Sequence, residues 1–202
     1  MKKLVILFLF FPVLCSAQTK SDIFNPNVPV VYFGADFSRV QFTKADEFTN
    51  KPEILRFFVD CNNFVNTKGI LNIMAKRLER DSIASDISYV TKNNSMVDWQ
   101  KVYSDNVDYS VSDEEIGDMI KALNIDQSTY KDHIGIVLCE ENYCKTKPLQ
   151  TIAIVFFRVN DLSPLFIKHY SPKPGGFGFL SYWSTNNAYV MGSVGKLKKE
   201  IE

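Results

Sequence analysis

Histidine is scarce in this chain: His133 and His169 are the only two in 202 residues. Cysteine is nearly as rare, with four, and no two of them stand in a Cys-x-x-Cys pair. That speaks against the common zinc arrangements, so no metal site is expected. No Ser-His-Asp, Cys-His or His-Glu-x-x-His pattern is visible either. The chain has no excess of one charge, with 23 basic and 23 acidic residues. A nucleic-acid binder shows a basic stripe, and none is present, so nucleic acid is not an expected partner. Repeats, low-complexity tracts and charge blocks are also missing. Beyond residues 4–14 no apolar run approaches the length that crosses a bilayer.

Residues 4–14 are themselves informative. They follow Lys2-Lys3 and precede Cys15-Ser16-Ala17, the pattern of a secretory leader with cleavage ahead of Gln18. A lipoprotein leader would modify Cys15, but Leu14 is not the small residue that such a signal places there. Removing residues 1–17 takes two lysines and no acid, so the mature chain carries a net charge of −2. The expected product is exported, periplasmic or secreted, with outer-membrane association left open and no transmembrane segment in the mature chain. Export implies an oxidising compartment. Cys139 and Cys144, separated by Glu-Glu-Asn-Tyr at a predicted strand end, are therefore either a small disulfide or two free thiols. Cys61 lies in an apolar helical run and reads as a buried small hydrophobe.

Residues 18–29, with Pro26 and Pro29, read as an extended lead-in to one domain spanning 30–202. A first strand region covers 30–42, where alternation puts Val31, Phe33, Ala35 and Phe37 on one face. Gly34 within it suggests a bulge or a close backbone approach. Helices are predicted over 52–65 and 70–80, a short strand over 87–91, and a short helix over 96–103. Ser112 with Glu115 three residues on forms a capping box that starts the best-marked helix. Strands follow at 134–139, 151–159 and 165–170, and a last helix covers 179–201. This order predicts an α+β fold: a single sheet of about five strands, its C-terminal half antiparallel, with helices packed against it.

The segment Gly175-Gly176-Phe177-Gly178 between the last strand and the last helix is the first candidate site. Free N–H groups at such a turn can hold an anion. The spacing matches neither a dinucleotide fingerprint nor a phosphate-binding loop, so no cofactor is expected. The ordinary alternative is a buried turn that fastens the helix to the sheet. Tyr182, Trp183 and Tyr189 on that helix are either core or a recognition patch. The candidate ligand-binding residues are Gly175, Gly176, Gly178, Tyr182 and Trp183. Asp36, an acid inside an apolar strand, is either a structural hydrogen-bonding residue or a catalytic carboxyl. His133 and His169 are either unrelated or meet as an acid–base or metal pair, with Asp132 or Glu140 nearby.

The Tyr32-Phe33-Gly34-Ala35-Asp36-Phe37-Ser38 opening, the 152–157 strand and the Pro174-Gly175-Gly176-Phe177-Gly178-Phe179 ending with Tyr182-Trp183 resemble an uncharacterised family of secreted Gram-negative bacterial proteins. The resemblance covers most of the mature chain. It implies export but no activity, and it transfers no catalytic residue. The element order is also similar to that of small α+β domains of cell-envelope proteins such as the TolB N-terminal domain, a likeness of fold alone. Two functional expectations follow. The first is a non-enzymatic module that binds an envelope protein or a small ligand through the glycine–aromatic region. The second is a hydrolase-type enzyme using Asp36 with a histidine.

Overall fold

The computed structural model describes residues 18–44, 51–144, 149–176 and 179–201. The leader expected at 1–17 lies outside the described residues, as does Gly178. The sheet is built on β5 (Ile134–Cys144), buried along its whole length. On one edge β6 (Leu149–Arg158) pairs antiparallel with it from Ile134↔Arg158 to Cys144↔Leu149. On the other edge β1 (Val30–Asp36) and β2 (Gln41–Thr43) lie end to end, both parallel to β5. β3 (Ala84–Ser85) adds to β1 and β4 (Tyr103–Ser104) adds to β2, again in parallel. β7 (Ser163–Tyr170) closes the other side, antiparallel to β6.

The expected sheet of about five strands is therefore corrected. Among the described residues it has seven strands, and the pairings that join β1, β2, β3 and β4 to the centre are parallel. Connection length explains the directions. Helices separate β2 from β3, β3 from β4 and β4 from β5, which allows parallel crossovers. Only residues 145–148 and 159–162 separate β5, β6 and β7, which allows hairpins alone. The region 30–42 reads as one strand in sequence but breaks after Asp36, and two-residue strands such as β3 carry no periodicity to detect.

Gly34 causes a second correction. The β1·β5 register shifts between Tyr32 and Gly34. Val30, Tyr32, Ala35 and Phe37 consequently share one core, while Val31 and Phe33 join the other. Gly34 has φ +108°, and a Cβ there would lie 2.5 Å from Val90 Cγ2 and 2.7 Å from Asn62 Oδ1. Both crowding atoms belong to helices that lie against the strand, α1 (Ile54–Val65) and α3 (Ser88–Ser95). They do so because β3 ends early and leaves the outer edge of β1 unpaired. Asn62 Oδ1 accepts from Ala35 N (2.7 Å) and its Nδ2 donates to Ala35 O (2.9 Å). Asn94 Oδ1 accepts from Phe37 N (2.7 Å), and its Nδ2 also donates to Ala35 O (2.9 Å). Two buried asparagine amides thus replace the missing strand.

One face of the sheet is covered by α1, α2 (Lys68–Arg77), α5 (Phe179–Ser193) and α6 (Lys198–Ile201), around Phe37, Phe42, Phe58, Tyr143 and Trp183. The other face holds α3 and α4 (Asp113–Ala122), over Phe33, Val137, Val155 and Phe157. The α4 capping box forms: Ser112 Oγ accepts from Glu115 N (3.3 Å), and Glu115 Oε2 accepts from Ser112 N (3.0 Å). The strand expected at 87–91 is α3 instead, and the helix expected at 96–103 is a set of turns leading into β4. Val90 and Thr91 favour a strand locally, but burial of Val90 against Gly34 and capture of Asn94 by β1 hold the segment helical. Gly34→Ala combines a disfavoured φ with overpacking, so it is expected to lower stability by on the order of 3 kcal/mol in urea denaturation.

Candidate functional site

The chain leaving β7 runs along α5 and leaves a cleft of about 450 Å³. Its lining is Pro172, Lys173, Gly175, Gly176, Thr185, Asn186 and Tyr189. That volume suits a small ligand. Gly176 is needed as glycine, because its φ is +115° and a Cβ would sit 2.7 Å from Ser181 Oγ. Thr185 Oγ1 lies 2.9 Å from the carbonyl oxygens of both Gly175 and Ser181, donating to one or the other. It ties the loop to the helix. Tyr189, 54% exposed, makes an aromatic wall. Asn186, only 5% exposed, makes the floor.

Beneath that floor is a buried polar network. Glu140 has no exposed surface. Its Oε2 accepts from Tyr143 Oη (2.8 Å) and Gln150 Nε2 (3.1 Å), and its Oε1 accepts from Asn187 Nδ2 (2.5 Å). Asn187 Nδ2 also lies 3.4 Å from Cys61 Sγ. Gln150 Oε1 accepts from Asn186 Nδ2 (2.9 Å), which joins the network to the cleft. Tyr32 Oη is buried without a hydrogen-bond partner among the described residues. Burial raises Glu140 to a pKa of about 7, against the three donors from Tyr143, Gln150 and Asn187 that favour its charged form. Burial likewise pushes Cys61 and Tyr32 well above their ordinary values.

Of the residues expected to bind ligand, Gly175 and Gly176 line the cleft. Tyr182 is half-buried, with its ring edge-on to Trp183 at 4.7 Å. Trp183 is a correction: it is fully buried, 4.7 Å from the Tyr143 ring, and cannot touch a surface ligand. Thr185 and Asn186 were not singled out. Their signal is the helical spacing 182, 185, 186 and 189, a mixed polar–aromatic stripe beside the apolar one.

Asp36 is 1% exposed at the end of β1. It accepts from Ser38 N (2.8 Å) and from Asn93 Nδ2 (3.1 Å), and burial raises its pKa. A second cavity, of about 340 Å³, opens above it between Ser38, Arg39, Asn93, Met96 and Tyr109. Asp36 pairs with Cys139, Cys139 with Ala153, and Ala153 with His169. Three strand spacings therefore separate Asp36 from His169, roughly 14 Å. The expected pairing of Asp36 with a histidine does not form. His169 sits instead between Glu141 Oε1 (2.7 Å) and Asp113 Oδ1 (3.0 Å). The Glu141 hydrogen bond, supported by Asp113 and opposed by burial, raises its pKa to about 9. His133 lies at the opposite end of the sheet, its Nδ1 3.0 Å from Lys131 O, so the two rings do not meet. Among the described residues no group of three or more His, Cys, Asp or Glu side chains could hold a metal.

The Cys139–Cys144 disulfide is also corrected. Both residues lie in β5, which continues through the expected turn, and both thiols are buried and unpaired. Five residues along a strand span roughly 16 Å, far beyond the Cα separation of about 7 Å that a disulfide tolerates. No helix among the described residues is long and apolar enough to cross a membrane. Comparison with protein-family models, with curated proteins and with solved structures finds no match to this chain.

Two steps are expected in stability against pH. Glu140 binds its proton more tightly folded (about 7) than unfolded (4.5), so its contribution is full below pH 4.5 and lost as pH rises through 7. That loss is on the order of 3 kcal/mol, and Glu140→Gln should remove it and stabilise the protein at pH 8. His169 adds stability that is full below pH 6.5 and lost as pH rises through about 9. Solvent screening at this half-exposed site reduces that step to about 1 kcal/mol, and His169→Gln should abolish it. Urea melts of the three proteins from pH 4 to 10 check both steps.

Proposed function

We propose that this protein is an exported, envelope-associated binding module that takes a small molecule or an extended peptide in the glycine-lined cleft. The observation that carries this reading is the cleft's construction. Its walls are a glycine backbone, a hydroxyl and an exposed tyrosine, and its floor is an amide held from below by a buried network. Such a surface offers directional hydrogen bonds beside a flat apolar face, the usual chemistry of a recognition site. Held in place before a ligand arrives, these groups lose little conformational entropy on binding. Export is supported by the basic, apolar and small-residue pattern of residues 1–17.

The test is a fragment screen followed by NMR mapping of each hit on the mature chain. Hits are expected to perturb residues 172–176 and 185–189, and Tyr189→Ala should weaken them about tenfold while leaving the fold intact. Hits that cluster at Arg39 and Met96 instead, or that bind Tyr189→Ala as tightly as wild type, would reject the cleft. Intact-mass analysis of the product from a Gram-negative host should give a chain beginning at Gln18, and a full-length cytoplasmic product would reject export.

A further inference from the structure

We infer that Asn186 selects the ligand of this cleft by presenting its carbonyl oxygen to a ligand N–H or O–H, and that Glu140 holds it in that orientation through Gln150. The inference rests on the reading that the cleft binds a ligand. It begins with an unused atom. Asn186 is 95% buried and its Nδ2 is turned inward to Gln150 Oε1. Its Oδ1 accepts no hydrogen bond from the described residues, although the residue forms part of the cleft lining. An occupant that presents a donor satisfies that oxygen, whereas one without a donor leaves it desolvated and unpaired.

The orientation of Asn186 is imposed from below. Gln150 Nε2 lies among three acceptors, Glu140 Oε2 (3.1 Å), Tyr143 Oη (2.9 Å) and Asn187 Oδ1 (3.0 Å). Its two N–H groups are drawn to that side, so Oε1 must face the other way, toward Asn186. An acceptor there requires Asn186 to turn its NH₂ inward and its carbonyl outward. Each amide is thus set by the one beneath it, and the series starts at the carboxylate.

A proton on Glu140 reverses the demand at the start of this series. The neutral carboxyl has an O–H that must donate. With that proton on Oε1, Asn187 turns over to accept it at Oδ1 and offers its Nδ2 to Gln150, which turns over in response, accepts at Oε1 and brings its own Nε2 to Asn186. Asn186 must then turn its carbonyl inward and show its NH₂ to the cleft. No other proton moves. Glu140 is faced by Tyr32 from β1, Cys61 from α1, Tyr143 from β5, Gln150 from β6 and Asn187 from α5, with the Glu141 carboxyl acting on it through its charge. None of these is a cation. Burial places the Glu140 transition near neutral pH, so both orientations are accessible in water.

Two measurements on the mature chain test the inference. In the first, side-chain amide NMR signals of Asn186 and Gln150 are followed from pH 5 to 9. They are expected to shift together with the Glu140 carboxyl carbon, with a midpoint near 7, and to stay fixed in Glu140→Gln. The wild-type titration decides this by itself, and signals that stay flat while the Glu140 carbon titrates overturn the relay. In the second, benzamide and N,N-dimethylbenzamide are titrated at pH 8.5, since both carry a ring for Tyr189 and only the first has an N–H. Benzamide is expected to bind at least tenfold tighter, and Asn186→Leu should erase the difference. Equal affinities in wild type overturn donor selection. If neither probe binds, the cleft reading falls and selection falls with it, whereas the relay still stands or falls on the amide signals.

Discussion

Two consecutive carboxyls, Glu140 and Glu141, are buried in the central strand, and much of the molecule is arranged to accommodate them. A carboxyl in a core is costly unless hydrogen bonds replace its water. The β5·β6 register shifts between Glu140 and Asn142, opposite the break between β1 and β2. Glu140 meets Tyr143, Gln150 and Asn187 on one side of the sheet. Glu141 meets His169 from β7 and the backbone N–H of Val111 ahead of α4, on the other. Asn142 then donates to Val107 O (3.0 Å) and Tyr109 O (3.3 Å), holding the segment that precedes α4.

The two carboxyls are held by different means. Glu140 has only neutral partners, so the lowest-cost state of the site shifts with pH and the carboxyl titrates near neutrality. Glu141 is met by a histidine whose pKa is raised to about 9, and that histidine is also held by exposed Asp113 at the start of α4. One arrangement makes a polar core sensitive to protons, and the other makes a cross-link between β5, β7 and α4. Because the Glu140 network reaches the cleft through a single amide pair, the chemistry of the core and that of the surface are coupled over a short path.

Legibility in the sequence varied with the distance over which each feature is decided. The α4 helix was readable because Ser112 and Glu115 are three residues apart and cap each other. The burial of Cys61 followed from its apolar helical run. Gly34 signalled a bulge or a close approach, and both occur there. The glycine loop lies between β7 and α5 as its spacing predicts, but of the aromatics Tyr182, Trp183 and Tyr189 it is Tyr189 that the helix turns outward, while Trp183 is buried. Asp36 pairs with neither histidine: two intervening strands keep His169 from it, and His133 lies at the other end of the sheet.

By itself, the sequence determined what depends on near neighbours: the periodicity of most helices and strands, the capping of α4, and the loop lengths that force β5, β6 and β7 into hairpins. Tertiary structure alone decided the parallel pairing of β1 and β2 with β5, the helical state of residues 88–95 and the composition of the site. The physical reason is separation along the chain. Asn186 meets Gln150 across 36 residues, Asn187 meets Glu140 across 47, and Asn94 meets Ala35 across 59. Hydrogen bonds of that kind leave no periodic trace, because each partner's identity is compatible with many positions until the sheet and its helices bring the two together.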